Sequence, residues 1–138
     1  MKKRGFQLFI VPAIIFCTWS CSDKGGGGGG GGSEANLAVT LDPPANSTQP
    51  AIPQSTFPLT VSITSPMPAQ GVTIDVKAAP DGSTTSFFSE SRSSTTSANN
   101  FTITGTPTSV VCVTTVTVTS KTKATNTITL SYRYSRKP

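Results

Sequence analysis

From Ala35 onward the chain alternates apolar and polar residues in short runs broken by proline, glycine and polar clusters. Successive side chains of a strand point to opposite faces, so a period of two marks strands with one buried face. Leu37, Val39 and Leu41 form the first run. Asp42-Pro43-Pro44-Ala45-Asn46 closes it, because proline cannot donate to a sheet ladder. Further prolines up to Pro58 make that stretch extended loop or edge. Leu59, Val61 and Ile63 form the second run, and Val72, Ile74, Val76 and Ala78 the third. Ser65-Pro66-Met67-Pro68-Ala69-Gln70-Gly71 turns the chain between them, and these two runs read as a hairpin. Pro80-Asp81-Gly82 is a turn, since proline presets φ and glycine accepts a positive φ.

Residues 83–100 are rich in Ser and Thr, with Phe87 and Phe88 expected in a short strand. Phe101 and Ile103 start the next run, closed by Gly105-Thr106-Pro107. Val110, Cys112, Val116 and Val118 share one parity and are expected to face inward. Residues 121–126 form a polar turn. Ile128, Leu130, Tyr132 and Tyr134 make the last strand. The fold expected is all-β, with about seven short strands in antiparallel sheets packed face to face. No segment offers a crossover helix, which argues against a parallel α/β sheet. The layout resembles bacterial immunoglobulin-like and fibronectin-III-like modules, implying an immunoglobulin-like β-sandwich over 35–138. The cysteine pair and core tryptophan of antibody domains are absent. A jelly roll or small barrel is the competing arrangement.

Upstream, the chain opens Met1-Lys2-Lys3-Arg4 and then runs mostly apolar from Phe6 to Trp19. A spanning helix needs roughly 20 apolar residues, so this run fits the apolar segment of a cleaved signal peptide over 1–20. Thr18-Trp19-Ser20-Cys21 resembles the lipobox of bacterial lipoproteins, with Ser20 as the small residue before the cut. That resemblance implies lipidation of Cys21 and a membrane contact through the lipid. Ser22 after the cysteine is similar to outer-membrane lipoproteins of Gram-negative bacteria. Ser22-Asp23-Lys24 is similar to export signals of surface-exposed lipoproteins. The expected location is the outer membrane, on its periplasmic or cell-surface face. Each buried methylene contributes about 0.8 kcal/mol, so several acyl chains hold a protein firmly. The glycines at 25–32 make 21–34 a flexible tether, spanning roughly 15–20 Å. They lack the strand, helix and Lys-Ser or Lys-Thr pair of a phosphate loop.

The net charge of +5 gives little support to a nucleic-acid partner, because Lys2, Lys3 and Arg4 leave with the leader. Histidine is absent, which removes the commonest general base and transition-metal ligand. Asp42, Asp75, Asp81 and Glu90 are scattered, with no spacing that favours a catalytic pair or a calcium loop. Cys112 reads as a small buried hydrophobe. The expectation is therefore a domain that is not an enzyme and takes no cofactor or metal.

Phe87, Phe88 and Arg92 are the candidate interaction surface. Adjacent aromatics in a strand face opposite ways, so one of them can stand exposed and stack on a sugar or a protein. The alternative is that both are covered. Lys121, Lys123, Arg133, Arg136 and Lys137 read as a charged hairpin edge that discourages strand pairing. The function expected is a structural or accessory module that binds an envelope or surface protein. An adhesive, glycan- or ligand-binding module is the alternative.

Overall fold

A computed structural model describes residues 33–138. The expected leader, Cys21 and the glycines at 25–32 lie outside the described residues. The described residues hold seven strands and no helix. They are β1 (Val39–Asp42), β2 (Phe57–Ile63), β3 (Val72–Pro80), β4 (Phe88–Ser94), β5 (Ala98–Ile103), β6 (Val111–Ser120) and β7 (Thr127–Ser135). One sheet has the order β1-β2-β5 and the other β4-β3-β6-β7, and every pairing between these strands is antiparallel.

The two sheets bury their inner rows in one core. Leu59, Val61 and Ile63 face it from β2, and Phe101 and Ile103 from β5. Val72, Ile74, Val76 and Ala78 face it from β3, and Cys112, Val116 and Val118 from β6. A fully buried Val, Leu or Ile contributes about 1.5–3 kcal/mol, against about 0–1 kcal/mol for an exposed ion pair. The apolar rows therefore dominate stability. Tyr132 and Tyr134 complete the core from β7, with Tyr134 tilted 55° against Phe57 at 4.5 Å between ring centroids.

The expected hairpin between the second and third runs does not form. β2 pairs with β1 and β5, whereas β3 pairs with β4 and β6. Both runs carry a full apolar face, and each faces the other's sheet across the core. Pro66 and Pro68 withhold two backbone donors from the intervening link, and Met67 packs against the core. Instead β3 forms a hairpin with β4, across the loop that begins at the Pro80-Asp81-Gly82 turn. Val110 also departs from its expected inward place and is 37% exposed. Ser109 has a φ of 62° just before β6, so the strand's parity starts only at Val111.

The charged stretch near the C-terminus does not act as one edge. Lys121 and Lys123 sit in the β6–β7 turn, whereas Arg133 lies near the other end of β7. The free side of β7 is covered by residues 46–52, which run parallel to it through bridges at Thr48–Arg133 and Ile52–Arg136. The Gln49 amide donates to the Arg133 carbonyl, and the Arg133 amide to the Ser47 carbonyl, both at 2.8 Å. The proline-rich stretch after β1 thus satisfies backbone groups that an open edge would expose.

Candidate functional site

Phe88, Glu90 and Arg92 pair with Ala78, Val76 and Ile74, all three buried on the inner face of β3. Cross-strand neighbours share a face, so these β4 residues stand at the margin of the core. The Arg92 guanidinium carbon lies 4.3 Å over the Phe101 ring of the opposite sheet. Its Nη1 donates to the Asn100 carbonyl at 3.0 Å, and its Nη2 pairs with Glu90. Arg92 thus bridges the two sheets along one side. Phe87 and Phe88 are both half-buried and pack against the core. Arg92 stands four residues beyond Phe88 on the same face, about 13 Å along the strand.

A polar cluster lies within the core. The Tyr134 hydroxyl bonds Thr106 Oγ1 at 3.1 Å. Tyr132 and Thr114 face each other across β6 and β7, and both hydroxyls are buried without a hydrogen-bond partner. Burial pushes the Tyr132 phenol up to about 12, with the nearby Thr114 hydroxyl opposing the shift. Burial likewise pushes up Tyr134, opposed by its bond to Thr106, and the Cys112 thiol. Cys112 is fully buried and donates only weakly, to the Val110 carbonyl at 3.7 Å. The described residues contain no cluster of acidic, cysteine or histidine side chains fit to hold a metal ion.

Two cavities open on the domain. One, of about 250 Å³, lies between the 42–60 stretch and the rings of Tyr132 and Tyr134. The other, of about 390 Å³, lies beneath the β3–β4 turn on the outer face of the four-stranded sheet. The second is the larger and the more open of the two. Its floor is Ala79 and Val113, and Lys77 and Arg133 stand beside it. Arg133 Nε donates to Asp81 Oδ2 at 3.1 Å. In the sequence Asp81 reads as a turn residue and Arg133 as edge charge, and no pattern marks Lys77 as a site residue. Strand parity puts Lys77 and Arg133 on outer faces, but only the order β3-β6-β7 brings them to one cleft.

The rest of that outer face carries hydroxyls. Thr117 and Thr119 bond Thr129 and Thr127 across β6 and β7 at 3.2 and 2.9 Å. Threonine rows of this kind hold the strands together, and Asp75 of β3 stands on the same face opposite Thr117.

The domain has two unlike ends. At one, Asn126 of the β6–β7 turn holds the incoming chain. Its Oδ1 accepts from the Leu37 amide at 2.9 Å, and its Nδ2 donates to the Ala35 carbonyl at 2.9 Å and to Glu34. At the other end, Val110 and Val111 are the exposed large hydrophobics among the described residues, beside the 390 Å³ cleft. The ten residues of β6 separate the two ends by about 30 Å. No protein-family model, curated protein or solved structure matches the chain.

Proposed function

We propose that this chain is a lipoprotein anchored through Cys21 in the outer membrane, where its β-sandwich acts as an accessory module that binds an envelope or surface protein. The observation that carries the reading is the polarity of the domain. The chain comes in at the end held by Asn126, and exposed Val110 and Val111 lie at the opposite end, about 30 Å away. Within the all-β class we assign the fibronectin-III-like layout. In constant-type immunoglobulin domains the fourth strand joins the first, second and fifth. Here β4 pairs with β3 instead, which supports that assignment.

The test has two parts. Mass spectrometry of the mature N-terminus is expected to find acylated Cys21, and Cys21→Ala is expected to leave the membrane fraction. A photo-crosslinker at Val111 is expected to capture one stoichiometric envelope protein that a crosslinker at Lys123 misses. An unprocessed Met1 terminus, or equal capture from both positions, would overturn the reading. A second reading, a ligand-binding or adhesive module, is favoured by the cleft with Lys77 and Arg133 beside it.

A further inference from the structure

We infer that the cleft beneath the β3–β4 turn binds the carboxylate of an acidic sugar, such as a uronic acid unit of a polysaccharide. The inference rests on the ligand-binding reading of the domain and names the ligand class for it.

Register fixes the geometry. Lys77 pairs with Thr115, and in the next row Ala79 pairs with Val113, which pairs with Arg133. Lys77 and Arg133 are thus two strands and one residue pair apart, about 12 Å between backbones. Both side chains are long enough to lean over the Val113–Thr115 floor, and both line the cleft.

Charge selects an anion. The ion pairs among the described residues are Arg92–Glu90 and Arg133–Asp81, so Lys77 has no carboxylate partner among them. Asp81 engages Arg133 only at Nε, and the terminal guanidinium nitrogens have no partner among the described residues. Among the lining residues two cations and one carboxylate leave a single positive charge, and Asp75 stands two residues from Lys77 on the same face, outside the lining. A carboxylate can accept charge-assisted hydrogen bonds from both cations.

The remaining lining selects a sugar. Ser83, Thr84, Ser86 and Thr115 bring hydroxyls that both donate and accept, as a polyol requires. The methyl groups of Ala79 and Val113 give a small apolar floor for the C–H face of a ring. No aromatic ring lines the cleft, so a neutral sugar lacks a stacking platform there. The acid group is what distinguishes the ligand. Its location at the end opposite Asn126 leaves room for a polymer to pass across the cleft.

The test is an NMR titration of the isotopically labelled full chain in micelles. The probes are tri-galacturonate, a neutral galactose trisaccharide and tri-glutamate. Tri-galacturonate is expected to shift the amides around Lys77, Ser83, Ser86 and Arg133, and to bind less tightly as salt rises. Lys77→Gln is expected to weaken binding about tenfold and Lys77→Arg to retain most of it. Lys77 is exposed, so unchanged spectra elsewhere will show that each variant is folded. Equal binding of tri-glutamate would overturn the sugar assignment. Binding insensitive to Lys77→Gln, or shifts confined to the Tyr132 cavity, would overturn the site while leaving a ligand-binding domain. Shifts with none of the three probes would overturn the inference, and retained crosslinking at Val111 would then leave the accessory reading standing.

Discussion

The Leu37 amide donates to Oδ1 of Asn126 at 2.9 Å, joining residues 89 positions apart in the sequence. Asn126 is buried, and its amide nitrogen reaches back to Ala35 and Glu34. One side chain thus clamps the incoming segment to the β6–β7 turn. Asn126→Ala leaves the Leu37 donor and the Ala35 acceptor without partners. The expected cost is about 1–3 kcal/mol in urea unfolding. Hydrogen exchange should quicken at residue 37 before the core strands respond. Unchanged protection at Leu37 would remove the clamp from this account.

Gly71 and Gly82 both have a positive φ, at 76° and 80°, but only one is crowded. A Cβ on Gly71 would lie 2.4 Å from the Ser94 carbonyl oxygen, whereas one on Gly82 meets nothing within 4 Å. Gly82→Ala should cost about 1 kcal/mol, the backbone penalty alone. Gly71→Ala should cost at least about 2 kcal/mol, because the β4 backbone must move as well. Thermal or chemical denaturation of the two variants side by side decides the matter, and equal costs would contradict it.

Tyr132 supplies a pH dependence. Its phenol is pushed from an ordinary value of 10 up to about 12 by burial. Between those values the unfolded chain has lost the proton that the folded chain retains, so stability falls as pH rises. The loss should begin near pH 10 and level off past about 12 for this group. Tyr132→Phe should flatten that part of the profile. At neutral pH the same change should be neutral or slightly stabilising, because the hydroxyl it removes has no partner. A cost above about 1.5 kcal/mol at pH 7 would show instead that Tyr132 and Thr114 bond each other in solution.

Arg92 links the two sheets through Phe101. A double-mutant cycle of Arg92→Ala with Phe101→Leu should give a coupling of about 0.5–1 kcal/mol, in the range of partly exposed cation–aromatic pairs. Zero coupling would mean that the guanidinium leaves the ring in solution. A solvent-facing ligand contact by Arg92 would first have to break this arrangement and the Asn100 bond.

Much of the fold was legible in particular runs. The inward rows Leu59-Val61-Ile63 and Val72-Ile74-Val76-Ala78, and the burial of Cys112, follow from a period of two, which is a local property of extended chain. The candidate site was far less legible. Phe87, Phe88 and Arg92 stand out in the sequence as aromatic and charged residues among serines, yet pairing with β3 puts Phe88 and Arg92 at the core margin. Lys77 and Arg133 look unrelated in sequence because they are 56 positions apart, and only β6 between their strands brings them to one cleft.

By itself, then, the sequence determined strand content, the buried face of most strands and the punctuation between them, because alternation, proline and glycine act within a few residues. Tertiary structure alone decided which runs became neighbours. It sent β2 and β3 to opposite sheets, laid residues 46–52 along β7 and closed Asn126 onto Leu37. Those choices depend on which pairing buries both apolar faces at once and satisfies the remaining backbone groups. That competition involves the whole chain, and no single run encodes its outcome.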